Sequence, residues 1–350
     1  MLKIIQVGLG PLGNMLAADT IRRGLGEIVA AVDVSPELAG RRLGDVLPQN
    51  MPASSGVSAS VRIVRSLDEV PASLRPDCAV VSTSSDLAKV APTLFALISR
   101  GIPIVSTCEE LLYPWLRHPR LADDLQTACA RHNGRVLGTG VNPGFIMDAL
   151  PVLASAVCRS VRSVHVWRIQ DASPRRVPFQ QKIGAGLDDK EFAKKIEDGS
   201  LRHVGLGESL HFIAKYLQLG ADTGGITRWE ESIEPVHATR DLDCALGPIP
   251  RGRASGVRQV ANGYTGGGKT SAPERCIITF EFQAAIGQTD PLPQDRIVLD
   301  AEPPIDLTIK GGVHGDIATV AITLNAIRPL LAAPAGLHTM ATVPAVHCAG

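Results

Sequence analysis

The chain has 350 residues, 45% of them hydrophobic, and its 35 lysines and arginines balance 35 aspartates and glutamates to a formal net charge of zero. That balance, with no basic block interleaved with aromatics, excludes the electrostatic footprint of a nucleic-acid partner. No apolar run approaches the roughly 20 residues that span a bilayer, and residues 2–7 lead straight into a core strand, so the expectation is a cytoplasmic chain of two domains that handles small molecules and has no membrane partner.

The first element is an apolar strand over 2–7, which meets Gly8-Leu9-Gly10-Pro11-Leu12-Gly13 and then a helical stretch over 14–23. Gly8 permits the tight turn out of the strand, Gly10 lets backbone approach a pyrophosphate, and Gly13 lets the helix pack close to the sheet with its N-terminus toward the phosphates. A second apolar strand, 27–32, ends in Asp33, twenty positions beyond Gly13, where a carboxylate accepts hydrogen bonds from the adenosine ribose. This series makes Gly8, Gly10, Pro11, Leu12, Gly13 and Asp33 candidate cofactor-binding residues. Asp33 repels a 2′-phosphate, which points to NAD, while Arg41 and Arg42 nearby leave NADP possible. Strands over 61–64, 78–82, 104–106 and 135–137 alternate with helices over 87–100 and 121–132, the pattern of an α/β fold built on a Rossmann doubly wound parallel sheet.

From Pro151 the texture changes. Extended segments over 163–169, 276–285 and 305–309, separated by Gly-, Pro- and Ser-rich turns, predict a second, mostly antiparallel α+β domain for substrate binding and dimerisation. The apolar strands between 276 and 310 need cover on both faces, which a partner subunit supplies. Residues 251–271, with six glycines, read as a surface loop, and 319–328, stopped by Pro329, as one apolar helix returning to the first domain. The expected divisions are 1–142 for the dinucleotide-binding domain, 143–314 for the substrate domain and 315–350 for the returning helix and tail. Seven scattered cysteines without a C-x-x-C pair read as reduced, mostly buried thiols, and no metal site is expected.

In such sheets ligands lie beyond the carboxyl ends of the strands. After the strand over 78–82, Ser82 and Thr83 open a polar run that either touches the cofactor's ribose or phosphate or starts a capped helix. After 104–106 come Thr107, a cofactor candidate, and the adjacent carboxylates of Glu109 and Glu110. Acids in a first helical turn ordinarily complement the helix dipole. At this strand end, beside a nicotinamide ring, desolvation also suits one of them to be a general base. Adjacent helical residues point about 100° apart, so only one faces the ring. The next strand end offers Asn142, whose carboxamide can hydrogen-bond a carboxamide, followed by Pro143, Gly144 and Phe145. Phe145 and Trp167 are core residues or pocket wall. Arg168 and Gln170 share the polar face of an alternating strand, lining a cleft or solvated. His203, His211 and His314 have no metal spacing, and His203 is a candidate substrate contact with Phe145 and Arg168.

The strings GTGVNPGFIMDALP (138–151), STCEELLYPW (106–115), QKIGAG (181–186), HVGLGES (203–209), GGVHGDIAT (311–319) and AAPAGLHTMATVP (332–344) span nearly the whole chain. In them it resembles the 2,4-diaminopentanoate dehydrogenase family and its relatives, the native amine dehydrogenases. The resemblance implies a dihydrodipicolinate-reductase-like Rossmann domain, a family-specific substrate domain, a homodimer, and NAD(P)-dependent interconversion of an amine with a carbonyl compound and ammonia, a glutamate of the CEEL segment being the base. Dihydrodipicolinate reductase proper carries a paired-histidine segment with a lysine and an SGT turn, both absent here. Sugar-type oxidoreductases with a similar start place a lysine in C-E-K-P, and Glu110 stands at that lysine's position, which favours it over Glu109. The expected function is therefore reductive amination of a ketone or aldehyde with ammonia, and its reverse. The alternatives are a dehydrogenase for a diamino acid, an alcohol- or sugar-oxidising enzyme on the same scaffold, and a non-catalytic NAD-binding sensor.

Overall fold

The computed structural model describes residues 1–48, 56–267 and 272–348. The chain divides into two compact units, residues 1–145 with 314–350, and residues 146–313, so the crossings fall after Phe145 and after Val313 where 143 and 314 were the expected bounds.

The first unit runs β1 (Leu2–Val7), α1 (Pro11–Arg22), β2 (Gly26–Val32), α2 (Gly56–Ser60), β3 (Ile63–Val64), β4 (Cys78–Val81), α3 (Leu87–Ile98), β5 (Ile104–Ser106), α4 (Pro119–His132) and β6 (Arg135–Gly138). The second holds α5 (Ala149–Ala154), β7 (Ser160–Asp171), α6 (Val177–Lys182), α7 (Asp189–Glu197), α8 (Leu206–Tyr216), β8 (Arg228–His237), β9 (Leu242–Cys244), β10 (Gly247–Ile249), β11 (Ala254–Thr265), β12 (Arg275–Ala285), β13 (Gln294–Glu302) and β14 (Ile305–Lys310). The chain returns to the first with α9 (Gly315–Asn325), α10 (Ile327–Ala332) and β15 (Gly336–His338).

The first unit is a seven-stranded sheet in the order β15-β6-β5-β4-β1-β2-β3, every neighbouring pair parallel. Strands buried on both faces must be apolar throughout, and β4 is, with Cys78, Ala79, Val80 and Val81 all buried. One face packs Val7, Val81, Leu94, Leu97 and Leu125; the other packs Leu9, Ala17, Ile28, Leu43 and Ile63. The chain leaves β1 toward β2 on one side and later resumes at β4 on the other, which makes the β1/β4 boundary the topological switch point.

The second unit is a six-stranded mixed sheet, β14-β13-β7-β12-β11-β8, in which only β7 and β12 run parallel, beside the small β9/β10 hairpin. One face is buried under a core containing Ile183, Phe192, Leu201, Val257 and Phe282. The other is not apolar, contrary to the expectation that 276–310 needs cover on both faces. β13 buries alternate residues only, β14 half-buries alternate residues, and the open face carries charged pairs such as Arg296 with Asp306 and Arg258 with Glu281.

Three further expectations are corrected. The glycine-rich segment over 251–271 is largely the strand β11, with Val257, Gln259 and Ala261 buried; 268–271 lie outside the described residues. Its glycines serve close packing: a Cβ on Gly256 would lie 2.0 Å from the Ala284 carbonyl oxygen of β12. The helix expected over 319–328 is two helices, and Pro329 sits in the first turn of α10, where the missing N–H would have no intrahelical partner. The cysteines are free thiols, but only Cys78, Cys108 and Cys129 are buried, while Cys276 and Cys348, near a strand start and the tail, are exposed. Among the described residues no helix is long and apolar enough to cross a membrane.

Candidate active site

The glycine-rich turn is built from backbone clearance. Gly8 adopts φ +89°, and a Cβ there would meet the Ser82 carbonyl oxygen at 2.5 Å. A Cβ on Gly13 would lie 2.0 Å from the Gly8 carbonyl, so α1 can approach β1 only with glycine at this position. Gly10 has nothing within 4 Å of a hypothetical Cβ and caps α1 without a side-chain acceptor, with Pro11 next. The N–H groups of the first turn are therefore open to an anion, and the helix dipole favours one there. Leu12 is half-buried beside them.

Asp33 fastens this turn as well as flanking it. Its Oδ2 accepts from the Leu9 N–H at 2.6 Å and its Oδ1 from the Ser35 N–H at 2.8 Å. Ser82 braces the turn from β4: its Oγ lies 3.2 Å from the Gly8 carbonyl and 3.1 Å from Gln6 Nε2. The helix start that follows is capped by Asp86, which accepts from the Lys89 N–H. The capped helix start expected of this run is thus present, with Asp86 as its cap. Thr83 Cγ2 lies 3.0 Å from a Cβ on Gly8, and the Thr107 N–H donates to the Val81 carbonyl at 3.0 Å, which ties the end of β5 to β4.

Beyond β5 the acids form a short 3-10 turn, Glu109–Leu112. Glu110 is committed within the fold. Its Oε2 accepts from the Leu87 N–H, the first residue of α3, at 2.9 Å and lies 2.9 Å from His118 Nε2. The charge there complements the N-terminus of α3 and is shared with an imidazole from the start of α4. His118 carried no sequence signal, because its partner is fixed by tertiary structure eight residues away. Glu109 belongs to the same turn with its Oε2 buried. Burial pushes the Cys108 thiol up to about 12, so it is no nucleophile. At the end of β6, the Val141 N–H lies 3.4 Å from Thr319 Oγ1 of α9, and Asn142 and Phe145 are half-buried.

The second unit treats its candidates differently. Arg168 is neither cleft-lining nor solvated: with Asp295 it forms a pair at 2.8 Å, the side chains 2% and 1% exposed, and its Nη2 donates to the Val313 carbonyl. Gln170 donates to the same carbonyl. Their partners lie more than a hundred residues away and left no trace in the local pattern. Trp167 is on the open face, stacked on His165 at 3.4 Å between ring centroids with Arg296 above it. His203 packs on Phe282, and Gln259 clamps its backbone at both N–H and carbonyl. Burial, with Lys182, Arg168 and Arg202 adding to it, pushes its imidazole down to about 3, so His203 is neutral. His314 caps α9. No cluster of metal-ligating residues occurs among the described residues.

A parallel sheet with a glycine turn at its switch point and an Asp just beyond β2 defines a fold of the Rossmann class, joined here to a mixed-sheet unit. Residues 145–349 match the 2,4-diaminopentanoate dehydrogenase C-terminal domain, and the chain belongs to that family. It is 28% identical to the 2,4-diaminopentanoate dehydrogenase of Acetoanaerobium sticklandii, over 98% of this chain and 93% of that one. To the amine dehydrogenase of Streptomyces virginiae it is 21% identical, over 98% and 96%. The fold is similar to that of an amine dehydrogenase from Mycobacterium smegmatis, with a TM-score of 0.78, 21% identity, and 99% and 97% of the two chains covered.

Proposed function

We propose that the chain is a nicotinamide-dinucleotide-dependent oxidoreductase acting on CH–NH2 groups, which interconverts a carbonyl compound and ammonia with an amine. The observation that carries this reading is the pair of carboxylates at the carboxyl end of β5, on the side of the switch point away from Asp33. The names of the relatives support the same class of substrate. When bound, the dinucleotide supplies a hydride donor or acceptor, the nicotinamide C4, and the α1 N-terminus, the glycine turn and Asp33 hold its phosphates and ribose. We assign proton transfer to Glu109, whose Oε2 is buried in the turn at that strand end. In amination its carboxylate moves a proton from the adding ammonia to the carbonyl oxygen, and a second proton, taken up from solvent, passes through it to the resulting hydroxyl, which leaves as water; in deamination it takes a proton from the attacking water. The test is NADH consumption with a panel of ketones and aldehydes. Oxidation is expected only with ammonia present, and an equal rate without ammonia would sink the reading in favour of alcohol or sugar chemistry.

Asp33 sets the cofactor preference. A carboxylate accepts from a free 2′-hydroxyl and repels a 2′-phosphate, so kcat/KM with NADH should exceed that with NADPH. Removing the charge in Asp33→Ala should lower the ratio roughly tenfold, equivalent to about 1.4 kcal/mol. Arg41 and Arg42 are exposed nearby and leave use of both cofactors open. A ratio unchanged by the substitution removes Asp33 as the determinant.

A homodimer through the open face of the second sheet completes the proposal. That face presents Trp167 between His165 and Arg296, together with alternating charges, Glu281 beside Arg258 and Asp306 beside Arg296, a composition able to meet its own copy across a two-fold axis. Burial pushes the Glu281 carboxyl up, but Arg258 and His165 outweigh it and hold it below the usual range, so the network is charged at neutral pH. Light scattering at micromolar concentration should give twice the chain mass; a monomer there refutes the dimer.

A further inference from the structure

Asn142 lies just beyond β6, and both polar atoms of its side chain, Oδ1 and Nδ2, are buried with no hydrogen-bond partner among the described residues. The backbone leading up to it is paired: the Thr139 N–H donates to the Ser106 carbonyl at 2.9 Å, and the Val141 N–H to Thr319 Oγ1. Other carboxamides in the chain show what a structural role looks like. Gln259 uses both ends on His203 and Glu231, and Gln126 accepts from the Leu337 N–H. Native folds seldom leave a buried amide wholly unpaired, and such a group calls for a binding partner.

The complement is narrow. An unpaired donor beside an unpaired acceptor is matched by a group that offers both, side by side. A ketone or carboxylate offers acceptors only, and an ammonium donors only. An amide offers both. Position then selects which amide. β6 lies beyond β5 and β4 from the switch point, opposite the β2 side where Asp33 receives the adenosine half, so the far half of a dinucleotide extends toward it. We propose that Asn142 pairs with the carboxamide of the nicotinamide ring through two hydrogen bonds, and so fixes the rotation of the ring and the face it presents for hydride transfer. This rests on the dinucleotide reading above.

The experiment is calorimetric binding of three ligands: NAD, its 3-acetylpyridine analogue, in which a methyl replaces the amide NH2, and ADP-ribose, which lacks the ring. The protein is expected to bind NAD about tenfold more tightly than the analogue, the effect of one lost hydrogen bond to a buried acceptor. Asn142→Ala should erase that discrimination and leave ADP-ribose affinity unchanged. Asn142→Asp keeps the acceptor for the amide N–H but turns an anion on the ring carbonyl or acetyl, so it should discriminate against the analogue more strongly than the native protein does. Discrimination that survives Asn142→Ala, or ADP-ribose affinity that falls in step with NAD affinity, overturns the proposal. Failure of the unmodified protein to bind ADP-ribose at all overturns the dinucleotide reading itself.

Discussion

Glu109→Gln should lower ammonia-dependent turnover by about 10²- to 10⁴-fold, the usual contribution of a positioned proton-transfer group, while NADH binding stays as it was. The substitution keeps size and hydrogen-bonding capacity and removes only the ability to take a proton. Glu110→Gln provides the contrast. Its Oε2 accepts from the Leu87 N–H and meets His118, so the amide loses charge-assisted bonds that hold the 3-10 turn against α3. That change should lower stability by about 1 kcal/mol and turnover by less than tenfold. Steady-state rates, NADH fluorescence titration and thermal melts of both variants separate the outcomes. A reversed pattern assigns the base to Glu110, as alignment with lysine-containing relatives of the fold suggests. Full turnover in both variants eliminates glutamate chemistry.

The choice between these two acids shows where sequence reasoning stops. The strand ends and the glycine turn are local: a run such as 2–13 carries its own strand, clearance and helix start, so Gly8, Gly13 and Asp33 were legible as a set. That Glu110 accepts from Leu87 and meets His118 depends on two different helices and leaves no mark in the local sequence. The same holds in the second unit. Glycines in 251–271 outweighed the alternation of Val257, Gln259 and Ala261, because the reason for Gly256 is the carbonyl of Ala284 on the next strand. Pro329 read as a stop because nothing local tells a helix end from the first turn of the next helix. The polar residues at 168 and 170 read as cleft-lining or solvated because alternation tells the two faces apart without telling which one is covered.

Asp295→Ala should cost about 3–5 kcal/mol, the penalty for leaving the Arg168 charge buried and unpaired. A guanidinium does not shed its proton to escape, so the charge stays. Burial pulls the Arg168 group down and pushes the Asp295 carboxyl up, each against the pull of the partner. Burial works against both charges, and buried pairs of this kind often contribute little net stability. The effect of this pair is geometric. Asp295 Oδ2 accepts from the Val313 N–H at 2.8 Å while Arg168 donates to the Val313 carbonyl, so β7 and β13 together grip the chain just before α9 begins. Two consequences separate this account from that of an ordinary stabilising salt bridge. Replacing both partners by apolar residues, Arg168→Met with Asp295→Leu, should recover most of the stability lost in Asp295→Ala, since no charge is left stranded. The recovered protein should still turn over poorly, because only Gln170 is left to hold Val313. Denaturant unfolding of the single and double variants, with rates measured on each, decides the matter: a double variant no more stable than Asp295→Ala would mean that the pair stabilises through its own attraction.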